Sequence, residues 1–148
     1  MKAVGYRNNL PIAAEDALLD LELPVPKPGP RDLLVAVKAV SVNPVDTKIR
    51  RAVPPPAGET RILGWDAAGV VEGVGADVTL FRKGDAVFYA GSRSRPGANA
   101  EFHVVDERIV GNAPKSLSTA ASARYDGKYV ARIEEQLAAH NSAISARA

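Results

Sequence analysis

The chain has 148 residues and a mass of 15.6 kDa, with 46% hydrophobic and 24% charged residues. That is the size and composition of one soluble globular domain able to bury a core without disulfides or a metal. It contains no Cys and only two His, His103 and His140, which excludes a disulfide framework, a thiol nucleophile and a thiolate metal site. The net charge is +2, and the densest basic stretches, Lys48–Arg51 and Arg93–Arg95, carry no interleaved aromatics, so no nucleic-acid partner is expected. No apolar run approaches the ~20 residues of a membrane-spanning helix. Met1–Tyr6 lacks the apolar stretch of a signal peptide, so the expected location is cytoplasmic, with no membrane contact.

In chain order, Met1–Tyr6 reads as a short strand. Leu19–Leu23 alternates apolar and polar residues at period 2, which predicts a half-buried strand. Pro24, Pro26, Pro28 and Pro30 then fix φ and remove donors, so this stretch is an extended connector rather than a ladder strand. Asp32–Asn43 is rich in Val and Leu on both faces, as in a central strand. Asn43-Pro44-Val45-Asp46 has the pattern of a helix start: Asn at the N-cap, Pro at N1 and an acid in the first turn. The helix is expected over Pro44–Arg51, because Pro54–Pro56 must end it. Further strands are expected at Ala67–Val74, Ala86–Ala90, Ala98–Val105 and Ile109–Asn112. Turn signals separate them, notably Phe81–Asp85 and the polar loop Gly91–Gly97. Many short strands with one short helix predict a mainly β architecture, a small barrel or sandwich.

After Pro114 the composition changes. Ser116–Ala148 is rich in Ala and lacks Pro. Within it, Lys128–Ser145 has helical spacing of Tyr129, Val130, Ile133, Leu137 and Ile144, with Asp126 as N-cap. An amphipathic helix is expected there, its stripe a packing surface.

Three blocks together resemble the medium-chain dehydrogenase/reductase superfamily, and within it the zinc-independent quinone-oxidoreductase, or zinc-type alcohol dehydrogenase-like, branch. They are Val40–Arg50, Ile62–Gly75, and Gly84–Tyr89 followed by Gly97–Phe102. The resemblance covers about residues 1–123 and implies the family's N-terminal, GroES-like, partly open β-barrel, leaving 124–148 as a tail of unrecognised origin.

The resemblance also implies a role in NADPH-dependent reduction of a quinone or α,β-enone, with the cofactor supplying the hydride. It implies Asn43, Asp46 and Lys48 as catalytic residues. Asn43 would donate to a carbonyl, Asp46 would orient Lys48 or a water, and Lys48 would stabilise enolate charge. Thr47 and Trp65 fall on the cofactor side. The same residues admit simpler readings. Asn43 and Asp46 fit helix capping, Lys48 a solvated helix face, and Trp65 a core aromatic.

Zinc-dependent relatives carry a Cys before the short helix and a His after the Gly matching Gly64. Here those places read Ser41-Val42-Asn43-Pro44 and Trp65, and an indole has only an N–H donor, so no metal is expected. The resemblance further implies a Rossmann domain that does not follow in this sequence. Gly73-Val74-Gly75-Ala76-Asp77-Val78 lacks the third Gly of a dinucleotide fingerprint and precedes a turn. The expected state is a catalytic-type domain that binds no cofactor and is inactive alone. The alternatives are half of a split reductase with a Rossmann partner chain, or a non-enzymatic assembly module. The apolar face that a Rossmann domain would cover is expected to be covered by the tail or by a second copy in a homodimer.

Overall fold

The computed structural model describes residues 1–123. The predicted amphipathic helix at Lys128–Ser145 lies outside them. The described residues form eight strands and two α-helices: β1 (Lys2–Tyr6), β2 (Leu19–Glu22), β3 (Asp32–Ser41), α1 (Pro44–Ala52), β4 (Arg61–Ile62), β5 (Asp66–Val74), β6 (Ala86–Ala90), β7 (Phe102–Asp106), β8 (Val110–Asn112) and α2 (Thr119–Ala123). Two antiparallel sheets result, one in the order β2-β1-β4 and one in the order β7-β3-β5-β6-β8. Neither closes on itself, so the architecture is mainly β, as the strand pattern predicts, and open, as the family resemblance implies. No helix among the described residues is long and apolar enough to cross a membrane.

The alternation of β3 explains the main core. Leu33 and Val35 are fully buried, and they meet Val71 of β5, Val87 and Tyr89 of β6, and Val105 of β7. Each such Val or Leu contributes roughly 1.5–3 kcal/mol through burial. β3 lies between β7 and β5, as its two apolar faces suggest. Its pairing with β5 shifts register twice, and the second shift leaves Lys38 as an extra residue between Val37↔Gly69 and Ala39↔Ala68. A second cluster joins Tyr6, Ile49, Leu63 and Trp65 beneath α1. A third packs Ala123 of α2 on Ala68 and Phe88, with Ala39 and Ala113 alongside.

Two buried polar groups pin the larger sheet. Glu107, 1% exposed, accepts the backbone N–H groups of Thr79 and Leu80 at 2.9 and 2.8 Å and pairs with Arg31 at 3.2 Å. His103 donates from Nε2 to the Pro96 carbonyl at 2.9 Å, which leaves Nδ1 to accept the Tyr89 hydroxyl at 3.0 Å. Burial pushes His103 down to about 4, so the ring is neutral at physiological pH.

Two expectations shift. The strand expected over Ala98–Val105 begins only at Phe102. Residues 98–101 instead bond outward: Ala98 and Asn99 donate to the Gly64 and Leu63 carbonyls, and Asn99 accepts from Val4. The strand expected at Ile109–Asn112 starts at Val110, because Glu107–Ile109 forms a 3-10 turn capped by the Asp106 side chain. The two-residue β4 and the five-residue α2 are too short to leave a periodic signal.

Candidate functional site at the start of α1

Asn43 caps α1 in extended conformation, Pro44 follows at N1, and Asp46 holds N3. The Asp46 carboxylate has two jobs. Oδ2 accepts the Asn43 N–H at 2.7 Å, closing the first turn of the helix. Oδ1 accepts the Gly64 N–H at 2.9 Å, tying the helix to the segment that enters β5. One side chain, 4% exposed, therefore fixes both walls of the site.

Gly64 is required at that wall. Its φ is +90°, and a Cβ there would fall 2.2 Å from Oδ1 of Asn99. This turn delivers Trp65 and Asp66 in sequence. Trp65, 4% exposed, faces inward against Tyr6, Ile49 and Leu63, and its Nε1 finds no acceptor among the described residues. Tyr6 donates its hydroxyl to the Val53 carbonyl at 2.6 Å, so the same cluster also holds the end of α1.

Asp66 opens β5 and is half-buried. The Asn43 side-chain amide donates to its carboxylate. Burial first, and the Asp46 charge second, push Asp66 up to about 6, against the pull of the Asn43 hydrogen bond. An acid titrating near neutrality, beside an amide donor and the positive end of a helix, can accept or release a proton.

Asn43 and Asp46 thus meet at one point, as the sequence suggests, and both act as helix-capping groups. Asp66 and the Gly64 backbone complete the cluster. No sequence motif marks Asp66 as a site residue, although the Gly64-Trp65-Asp66 run places it close to the cap once Gly64 is bonded to Asp46. Thr47 and Lys48 lie apart on the exposed side of α1. Thr47 donates its hydroxyl to the Pro44 carbonyl at 2.9 Å, and Lys48 has no side-chain partner among the described residues. Trp65 belongs to the packing behind the site rather than to its open face.

The donor set does not suit a zinc ion. Trp65 offers no lone pair, both Asp46 oxygens are committed to N–H groups, and Asp66 stands alone. Among the described residues no group of three His, Cys, Asp or Glu could hold a metal.

Residues 29–123 match the Alcohol dehydrogenase GroES-like domain. The chain belongs to this family. Over 123 residues it is 38% identical to a "Zinc-type alcohol dehydrogenase-like protein" of Staphylococcus epidermidis, covering 83% of this chain and 36% of that protein. A solved "putative zinc-dependent alcohol dehydrogenase protein" from Rhizobium etli superposes with a TM-score of 0.80 at 62% identity, again over 83% of this chain and 36% of the other. The Escherichia coli quinone oxidoreductase, solved as its NADPH complex, superposes with a TM-score of 0.74 at 27% identity, over 85% and 37%. The chain therefore spans little more than a third of the relatives it matches, their N-terminal catalytic-type part.

Proposed function

We propose that residues 1–123 are the catalytic-type half of a zinc-independent, NADPH-dependent quinone or enone reductase, and that this chain alone binds no cofactor and is inactive. The observation that carries the reading is the Asn43–Asp66 pair, held against the start of α1 by Asp46. The nicotinamide cofactor, when bound, supplies the hydride. The residues of this chain supply position and a proton. One amide hydrogen of Asn43 is engaged by Asp66, and the second is available to a substrate carbonyl oxygen. Asp66, titrating at about 6, suits transfer of a proton to the enolate or hydroquinone oxygen that hydride addition creates. Lys48 and Thr47, exposed on α1, would meet cofactor or developing charge. Trp65 acts by stiffening the wall behind them.

The way the glycine-rich segment is used supports the reading that this chain alone holds no dinucleotide. The Gly75 N–H donates to the Asp32 carbonyl at 2.8 Å, and the Asp77 N–H to the Pro30 carbonyl at 2.8 Å. A Cβ on Gly75 would sit 1.9 Å from the Gly29 carbonyl oxygen. These amides brace the loop against the proline-rich connector and are spent before any phosphate arrives.

Calorimetric titration of the chain with NADPH should give no heat of binding, and micromolar binding would overturn the reading. Incubation with zinc followed by gel filtration and elemental analysis should leave no stoichiometric metal. In a protein that joins this domain to a nucleotide-binding half, Asp66→Asn should remove the ionisation near pH 6 from the rate profile. A profile unchanged by that substitution would sink the proton-donor role.

A further inference from the structure

One cross-strand row fixes which side chains share the outer face of β3, β5 and β6. Ala39 opposes Ala68, Ala68 opposes Phe88, and all three pack together with Ala123 of α2. Side chains two residues further along each strand lie on the same face. Towards the start of α1, the next row is therefore Ser41 on β3, Asp66 on β5 and Ala90 on β6, again in direct register. Directly opposed residues carry their Cβ atoms roughly 4.5–5.5 Å apart. Asn43, two residues beyond Ser41 and still extended, reaches the end of this row and donates to Asp66. The acid of the candidate site is thus flanked by Ser41 and Asn43 on one side and by an alanine on the other.

What the neighbours lack is complementary. Of the two Asp66 carboxylate oxygens, Oδ2 takes the Asn43 amide, and Oδ1 has no donor among the described residues. Ser41 is half-buried, and its hydroxyl has no hydrogen-bond partner among the described residues. On the other side β6 presents only the methyl group of Ala90, and the charge that acts on Asp66 is that of Asp46 on α1. A serine hydroxyl swings between three staggered positions about χ1, and it can donate. A carboxylate that has just lost its proton gains most from a new donor. We infer that Ser41 is a positioning residue of the site: its hydroxyl donates to Oδ1 of Asp66 once that acid has released its proton, and turns away when the proton returns. This rests on the proton-donor reading of Asp66. In that reading the Asp66 proton passes to the reduced substrate oxygen. The carboxylate left behind is held by two donors, the Asn43 amide and the Ser41 hydroxyl, until water returns a proton to it. Ser41 acts through Asp66 and not on the substrate.

The full chain suffices for the test, because the titration of Asp66 needs no cofactor. It is followed by carboxyl carbon NMR. In Ser41→Ala the Asp66 midpoint should rise by about one pH unit, a tenfold gain in proton affinity, since the ionised form loses a donor. Ser41→Thr keeps a hydroxyl at that place and should restore the wild-type midpoint. Asp32, bound by Arg95 at the far end of β3, should titrate alike in all three proteins. An Asp66 midpoint that stays or falls in Ser41→Ala would overturn the inference, as would a Ser41→Thr midpoint matching that of Ser41→Ala. The wild-type chain gives a second reading without any variant. Its Ser41 Cβ resonance should shift with the Asp66 midpoint, and a resonance that stays flat through it would also defeat the proposal. Either failure leaves the Asn43–Asp66 reading in place. That reading fails separately, if wild-type Asp66 titrates at its ordinary 3.8 rather than at about 6, and the role of Ser41 would then fall with it.

Discussion

Two regions of this domain bury carboxylates, and they do so to opposite ends. Around Glu107 two backbone donors and one guanidinium converge on a single acid. At the start of α1, two acids share a few residues of space. Asp46 is fully engaged, but Asp66 has one amide donor against both burial and a like charge. The first arrangement is a rivet between the 79–80 turn and the sheet. The second stores unfavourable electrostatics that a proton relieves. Buried polar groups that are fully satisfied specify structure, whereas those left in tension are available for chemistry.

The largest test of this contrast is Glu107→Ala. It removes the acceptor of the part-buried Thr79 and Leu80 N–H groups, while the half-exposed Arg31 turns to water, and should cost roughly 2–4 kcal/mol in chemical denaturation. A cost below about 1 kcal/mol would remove the rivet from the comparison.

Next comes the pH profile of stability. The folded value of His103, about 4, lies below its unfolded value of 6.5. Its contribution is therefore present above pH 6.5 and lost as pH falls towards 4, amounting to roughly 3 kcal/mol. Asp66 acts with the opposite sign. Its folded value, about 6, lies above 3.8, so its contribution is present below pH 3.8 and lost as pH rises through 6. In His103→Phe, the acid-side loss between pH 6.5 and 4 should shrink and the Asp66 slope should emerge. Denaturation midpoints across pH 4–8 would display both.

Asp46→Asn should cost about 1–2 kcal/mol, since one of its two accepting roles can survive. It should also lower the Asp66 pKa from about 6, yet leave it above 3.8, because burial is the larger cause. Carboxyl carbon NMR titration would follow this directly. An Asp66 value that does not move would mean the two acids are not coupled. The smallest effect is expected at Lys48. With no partner among the described residues, Lys48→Ala should change stability by less than about 0.5 kcal/mol. A larger loss would reveal a structural role for a residue here assigned to chemistry.

Much of the fold could be anticipated because its signals are local. The Val- and Leu-rich run of β3, the Asn-Pro-Val-Asp cap of α1 and the proline punctuation before β3 each follow from the residues that form them. At the candidate site, the capping geometry of Asn43 and Asp46 was legible in the same way. Asp66 gains its character only from tertiary placement, twenty residues downstream of Asp46, where burial and a neighbouring charge combine. No spacing rule encodes that. The burial of Trp65 is likewise decided by Tyr6, Ile49 and Leu63, which come from three separate segments. The early part of the expected strand at 98–105 failed for a similar reason. Its backbone groups bond to the turn around Gly64 and to β1, choices that local propensity does not register.

The extra residue in β3 has a consequence for how this domain can change. Leu33, Val35 and Val37 face the core from odd positions, but beyond Lys38 the strand counts from the other side, so Val40, opposite Ala67, shares that face. The bulge absorbs one residue without exchanging the faces of the strand beyond it. Deleting Lys38 alone would therefore leave Ala39 opposite Ala68 and Val40 opposite Ala67, with the same side chains inside and outside. A single-codon loss at this point would straighten β3 and leave every other side chain on its present face.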